Sequence, residues 1–257
     1  MPKKQRLDVV LTERGLAPSI SRAQSLILTG KVRVDGIAEC KAGTQVAPGA
    51  AIEVVEPEHP YVSRGALKLA AALDAFAISA EGLDCLDVGA STGGFTDLLL
   101  VRGANRVIAL DVGRGQLDWR LRTDDRVVVM EGINARLLGE QDLPFTAQLA
   151  TVDVSFISLQ LVVPALLGHL EPGAWLICLV KPQFEAAREK VDGGGIVRNE
   201  AVRRATVETV VDALIALGLE HVGTVESPIR GQKGNLEELA VFRVKPHGGP
   251  TVESSKV

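Results

Sequence analysis

The sequence predicts an α/β fold, a mainly parallel, doubly wound sheet, preceded by a small α+β unit. Three observations carry this. From Val62 onward, short apolar runs alternate with amphipathic stretches, the rhythm of strands joined by helices. A glycine-rich segment, Asp87–Phe95, lies between the first of these runs and the helix pattern that follows. Before Val62 the rhythm differs: two short helix patterns lead into charged/apolar alternation, closed off by the stiff segment Pro57-Glu58-His59-Pro60. A chain of 257 residues holds one large domain or a medium one plus a small one. The change of rhythm favours the second, with units at 1–58 and 63–245, a linker at 59–62, and a polar, disordered tail at 246–257.

The elements follow in order. Arg6–Gly15 reads as a helix with Leu7, Val10 and Leu11 on one face. Ser21-Arg22-Ala23-Gln24 has the form of a capping box and opens a second helix that Gly30 stops. Lys31–Asp35 alternates and ends in Asp35-Gly36, the signature of a strand entering a hairpin. Pro48-Gly49 turns the chain into a strand at Ala51–Val55. In the second unit, helices are expected at Ala66–Phe76, Gly93–Arg102 and Val162–Leu170. Strands are expected at Leu83–Val88, Arg106–Val112, Val127–Glu131, Leu149–Val154 and Ala174–Val180. Asn199 caps a long helix through Leu217 whose inner side is read as Val202, Ala205, Thr209, Val210, Ala213 and Leu214. His221–Ser227 and Leu236–Val244 are strands joined without a helix, which implies an antiparallel edge.

Charge and cysteine usage narrow the function. Residues 1–41 hold eight Lys/Arg against four Asp/Glu, in a chain of net charge −4. A basic module on an acidic body points to a localised polyanion contact. Cys40, Cys85 and Cys178 have no metal-ligand or CxxC spacing, so no metal is expected, and Cys85 and Cys178, inside apolar runs, read as buried free thiols. The stretch Val154–Leu170 carries too many polar residues for a membrane span, and no apolar run follows the basic first residues as in a signal peptide. The expectation is a soluble cytoplasmic protein without membrane contact.

Asp87-Val88-Gly89-Ala90-Ser91-Thr92-Gly93-Gly94-Phe95 lets a ligand approach backbone at a strand end. Its glycine spacing is not the dinucleotide fingerprint, which disfavours an NAD-dependent oxidoreductase. Asp87 before the first glycine suits a cationic ligand, such as one with an amino group and a sulfonium. Asp111, ending the next strand, is placed to hold ribose hydroxyls, and Asn134 to read an adenine edge. Asp153 and Lys181 each close an apolar strand, at the edge where such sheets bind ligands, whereas Lys68 and Glu237 taken alone read as surface charges.

Together these segments resemble the TlyA family of rRNA (cytidine-2′-O)-methyltransferases, often labelled hemolysin A. The resemblance rests on the Asp87–Phe95 turn, Lys68, Asp153-Val154-Ser155-Phe156-Ile157-Ser158, Lys181-Pro182-Gln183-Phe184-Glu185 and Gly234-Asn235-Leu236-Glu237. It implies a Rossmann-like methyltransferase sheet of the FtsJ type, with S-adenosylmethionine as cofactor. The N-terminal unit resembles an S4-like RNA-binding domain through Ser21-Arg22-Ala23 and Gly30–Gly36. The family's Lys-Asp-Lys-Glu tetrad falls on Lys68, Asp153, Lys181 and Glu237; Glu238 beside the last is the alternative. Where some members carry Arg-x-Trp-Val in the linker, this chain has His59-Pro60-Tyr61-Val62.

The implied partner is ribosomal RNA or a ribosomal subunit. Lys4, Arg6, Ser21, Arg22, Lys31, Arg33 and Arg64 are the expected contacts, with Arg114 extending the track. Moving a methyl group to a ribose hydroxyl requires removal of the hydroxyl proton during attack. Lys181 is read as that base, with Lys68 as a second cation disfavouring its charged form and Asp153 and Glu237 orienting it. Asp192-Gly193-Gly194-Gly195-Ile196 is either a surface loop or a substrate lid. Two rival readings remain: a non-catalytic RNA-binding assembly factor, and a membrane-lytic protein, for which no membrane-active pattern is present in the sequence.

Overall fold

A computed structural model describes residues 4–28, 30–39, 41–55, 59–139 and 141–245. Cys40 and the tail at 246–257 lie outside the described residues.

The N-terminal unit runs β1 (Gln5–Arg6), α1 (Leu7–Glu13), α2 (Ile20–Leu28), β2 (Val32–Val34), β3 (Ile37–Glu39), β4 (Gln45–Val46) and β5 (Ile52–Val54). β3, β2 and β5 form an antiparallel sheet, and β1 pairs separately with β4. The β2–β3 turn has φ 52° at Asp35 and 79° at Gly36. Two positive values in a two-residue loop match the right-handed twist of the flanking strands. Leu7, Leu11, Ile27 and Val32 are fully buried between the helices and this sheet. The α2 cap differs from expectation: Arg22 N donates to Ser19 Oγ at 3.2 Å, so Ser19 caps the helix. Gln24 instead donates to Asp8, at 2.9 Å, tying α2 to α1.

The second unit continues with α3 (Gly65–Ala75), β6 (Asp84–Val88), α4 (Gly94–Val101), β7 (Arg106–Asp111), α5 (Trp119–Arg122) and β8 (Val127–Glu131). Then come β9 (Ala147–Val152), α6 (Leu159–Leu166), β10 (Leu170–Val180), α7 (Pro182–Glu185), α8 (Glu200–Ala216), β11 (Leu219–Glu226) and β12 (Glu238–Val244). They form one seven-stranded sheet in the order β11-β12-β10-β9-β6-β7-β8. The chain winds one way through β7 and β8 and the other way through β9 and β10, so the strand order reverses between β6 and β9. Both faces are covered: Leu86, Val88, Leu176 and Phe242 pack toward α6 and α8, while Cys85, Val107, Leu149 and Val241 pack toward α3 and α4. Alternate residues of each strand serve opposite cores, which is why the strands read as unbroken apolar runs.

Three expectations are corrected. The last two strands do form a hairpin, but β12 inserts between β10 and β11, antiparallel to both. The antiparallel strand is therefore internal and β11 is the edge. α6 starts at Leu159, three residues early, because Ser158 accepts from Gln160 N at 3.2 Å and caps it. On α8, capped by Asn199 as expected, the buried face is Arg203, Thr206, Val207, Val210, Val211 and Leu214. A charged residue masks this face in the sequence: Arg203 is buried because it pairs with Glu238 on β12.

Candidate active site

Ligands in open α/β sheets bind beyond the strand C-termini where the strand order reverses. Here that point lies between β6 and β9. Asp153 N donates to Val88 O at 2.8 Å, bringing the residue after β9 against the turn after β6. Gly89, at φ 84°, has no room for a side chain, because a Cβ would run into the Asp153 carbonyl. Gly93, at φ 95°, opens α4, and a Cβ there would collide with Leu121 and Leu117. The turn is thus wedged between β9 and the segment leading into α5.

Asp87 has a different task from the one expected of it. Its carboxylate is fully buried and accepts from Thr96 N at 2.9 Å, Thr96 Oγ1 at 2.7 Å and Thr151 Oγ1 at 2.9 Å. It ties β6, β9 and the start of α4 together beneath the turn. Burial is the main cause that pushes its pKa up to about 6, against the lowering effect of these hydrogen bonds.

Above the turn, a cleft of about 470 Å³ is lined by Gly89, Ser91, Asp111, Asn134, Asp153 and Phe156, among others. Asp111 accepts from Ser91 N at 2.7 Å and Gly113 N at 2.6 Å, so two backbone donors hold its carboxylate at the rim. Asn134 Oδ1 accepts from Arg136 N at 3.1 Å, leaving its amide NH₂ as the available group. Ile133, Ala135 and Val162 supply apolar wall. A second cleft, of about 320 Å³, adjoins it; the two share Gly89, Ser91, Asp153, Ser155 and Phe156. The second cleft also takes in Ala90, Thr92, Gly94 and Phe95.

Lys68, Asp153, Lys181 and Glu237 all line this second cleft. Asp153 and Lys181 follow β9 and β10 directly. Glu237 precedes β12, and since β12 is antiparallel, its start lies beside the C-terminal end of β10, with Val180 facing Glu238. Lys68 enters from α3. The four form two ion pairs: Lys181 Nζ to Asp153 Oδ1 and Lys68 Nζ to Glu237 Oε2, each at 2.5 Å. Glu237 therefore orients Lys68 rather than Lys181. Ser155 Oγ is the further partner of Lys181, at 2.9 Å. Glu238 lies on the other face of β12 with Arg203.

Two motifs are locked to each other around the cleft. Glu185 accepts from Ser158 Oγ at 2.6 Å and Leu159 N at 2.8 Å, and burial raises its pKa. The Phe156 and Phe184 rings meet at 4.8 Å between centroids. Phe156 is 90% exposed and has φ 64°, a costly conformation for a bulky residue and a frequent mark of functional sites. Phe156 enters the sequence reading only as part of the Asp153–Ser158 motif, with no role of its own, and Arg230, which also lines the cleft, is not singled out by sequence patterning. The Asp192–Ile196 loop lines neither cleft: Asp192 accepts from Gly194 N and Ile196 N, and Asn235 bonds Gly195 O and Val197 N.

Among the expected RNA contacts, Lys4, Arg33 and Arg64 are exposed, and Arg64 lines the second cleft. Arg6 pairs with Asp8 at 2.6 Å. Ser21 Oγ donates to Gly115 O at 2.9 Å, and Arg22 pairs with Asp118, so both reach across to the second unit. Burial alone would raise the Asp118 pKa, but the Arg120 N–H and the Arg22 guanidinium outweigh it and hold the group low.

Cys85 and Cys178 are free and buried; burial pushes Cys85 up to about 12 and Cys178 higher still, so neither is a nucleophile. Among the described residues there is no cluster of metal-ligating side chains, and no helix is long and apolar enough to cross a membrane.

Comparison with known proteins adds independent findings. The family model of FtsJ-like methyltransferases matches residues 61–244, and that of the S4 domain matches residues 5–52. The chain is 48% identical to the 16S/23S rRNA (cytidine-2′-O)-methyltransferase TlyA of Mycobacterium tuberculosis, over 95% of this chain and 92% of that protein. It is 42% identical to Hemolysin A of Brachyspira hyodysenteriae, over 92% of this chain and 99% of that one. A solved structure named as a hemolysin from Streptococcus thermophilus superposes with a TM-score of 0.74 at 41% identity, covering 95% of this chain and 90% of the other.

Proposed function

Since the chain belongs to the FtsJ-like methyltransferase family and to its TlyA branch, we propose that it methylates the ribose 2′-hydroxyl of a cytidine in ribosomal RNA, with S-adenosylmethionine as donor. The observation that carries this is the convergence of Lys68, Asp153, Lys181 and Glu237 on a cleft that opens into the one bounded by Asp111 and Asn134.

The first cleft suits the donor. At about 470 Å³ it falls in the size range of small-molecule sites. Asp111 keeps acceptor capacity for ribose hydroxyls beyond its two backbone donors. Asn134 and the apolar wall suit a purine, and the bare backbone at Gly89 allows close approach beside Asp153. When bound, S-adenosylmethionine supplies an electrophilic sulfonium methyl that departs with a neutral thioether left behind. Lys181 Nζ, held by Asp153 and Ser155, takes the proton from the ribose O2′ as that oxygen attacks. Glu237 fixes Lys68 over the same cleft, placing an ammonium beside the incoming sugar-phosphate. Exposed Phe156 offers a stacking face for the target base, and Arg64 and Arg230 flank the mouth with positive charge. The exposed N-terminal cations Lys4 and Arg33 extend the RNA track, and such a substrate places the protein in the cytoplasm.

The test is transfer of labelled methyl to ribosomal subunits and naked rRNA, with the modified ribose mapped. Lys181→Ala should lower the rate by about 10²–10⁴-fold. Its calorimetric affinity for S-adenosylhomocysteine should stay near that of the unmodified protein. Transfer at an undiminished rate removes Lys181 from the role of base. A wild-type protein that binds RNA but neither binds nor uses the cofactor would instead be an assembly factor.

A further inference from the structure

Two more clefts open where the N-terminal unit meets the segment around α5. One, of about 730 Å³, is walled by Leu16, Leu26, Val54, Lys31 and His59. The other, of about 520 Å³, is walled by Ser25, Leu117, Trp119 and Arg122. They share Pro18, Arg22 and Arg120, so they form one continuous seam around the Arg22–Asp118 pair.

The rim of this seam carries a feature that the catalytic reading does not use. The Trp119 side chain is 67% exposed and belongs to none of the three buried cores. The next residue, Arg120, is 61% exposed and lies 3.7 Å from Asp118, whose other oxygen is taken by Arg22. Lys31 and Arg122 also line the seam, against Asp118 and the Glu131 that pairs with Arg122. Among the described residues that line the seam, four are cations (Arg22, Lys31, Arg120 and Arg122) and one, Asp118, is an acid, on a chain whose net charge is −4. Apolar walls, an indole on the rim and surplus cations are the combination that holds unpaired nucleotides, with bases stacked and phosphates neutralised.

The seam is also close to the catalytic cleft. Leu26 of α2 faces the seam, whereas Leu28 of the same helix lines the cleft that holds the four charged residues. From Arg22 to Leu28 the helix rises on the order of 9 Å, which one or two nucleotides span. On the other side, Asp118 N donates to Thr92 O at 3.2 Å, so α5 is anchored directly on the Asp87–Phe95 turn.

We propose that this seam is an RNA-docking groove separate from the catalytic cleft, in which Trp119 stacks an unpaired nucleobase a few nucleotides from the target ribose and Arg120 pairs with its phosphate. The proposal rests on RNA being the substrate, as argued above, and adds a contact made by the methyltransferase unit itself. Arg22, expected to touch RNA directly, then serves to hold the two walls of the groove together.

The full chain has two tryptophans, Trp119 and Trp175. In a Trp175→Phe background, titration with an unpaired rRNA loop fragment should quench the remaining indole fluorescence. Trp119→Ala should weaken binding of that fragment by about ten-fold, within the range for one lost stacking contact, with the salt dependence unchanged. Trp119→Phe should restore most of the affinity. Arg120→Ala should instead flatten the slope of log affinity against log salt by about 0.7. All variants should bind S-adenosylhomocysteine as the unmodified protein does. Trp119→Ala with undiminished RNA affinity overturns the proposal. So does a loss of thermal stability without any change in RNA binding, which would make the indole an interdomain packing residue. If the unmodified protein binds no RNA at all, the substrate reading fails first.

Discussion

Asp87 shows how one residue's neighbours decide its role. It precedes the first glycine of a glycine-rich turn, a place that suggests direct contact with a cation, yet its carboxylate is spent on Thr96 and Thr151. Its pKa, raised to about 6 from 3.8, has a consequence for stability. Between those two values the folded state holds more protons than the unfolded one, so stability falls as pH rises through the window. At one pKa unit per 1.36 kcal/mol, the difference amounts to about 3 kcal/mol. Denaturation midpoints of the wild type minus those of Asp87→Asn should therefore decline from pH 4 to pH 6.5; a flat difference would show that Asp87 is no such proton site. At the same scale, Lys181 and Asp153 were legible as strand-end charges. The pairing of Glu237 with Lys68 was not, because nothing in one dimension says which of two lysines a carboxylate faces.

The elements themselves were largely legible. β8 and the Asn199-capped α8 follow directly from apolar runs and caps, and the Asp35-Gly36 hairpin follows from its turn chemistry. Sequence reading failed where a polar residue is buried with a partner or a cap is supplied from an unexpected position, as with Arg203 on α8 and Ser19 on α2. The β6–α4 turn is the element with least tolerance. Gly89→Ala places a side chain at φ 84° and against the Asp153 carbonyl. It should cost more than about 2 kcal/mol in denaturant unfolding and weaken S-adenosylhomocysteine binding measured by calorimetry. Full retention of both would mean that the turn relaxes without loss.

For the whole molecule, charge placement rather than net charge governs the expected RNA contact. Exchanging Lys4, Arg33 and Arg64 together for Ala removes three exposed cations and should flatten the salt slope of rRNA binding by about 2. An unchanged slope would exclude this face. Arg22→Ala acts differently, because Arg22 is engaged with Asp118. Its main effect should be faster amide hydrogen exchange at residues 113–118, and no such change would mean that the pair does not hold the two units together.

The sequence by itself determined the α/β class, the basic N-terminal unit, the glycine-rich turn and the resemblance that put Lys68, Asp153, Lys181 and Glu237 in one site. These depend on periodicity, turn residues and motif spacing, which are local properties. Only the tertiary structure decided that β12 lies inside the sheet, that Asp87 is buried support, that the four charges form two pairs, and that Trp119 stands exposed on a cationic seam. Each of those depends on which residues far apart in the chain meet across a strand or a domain boundary.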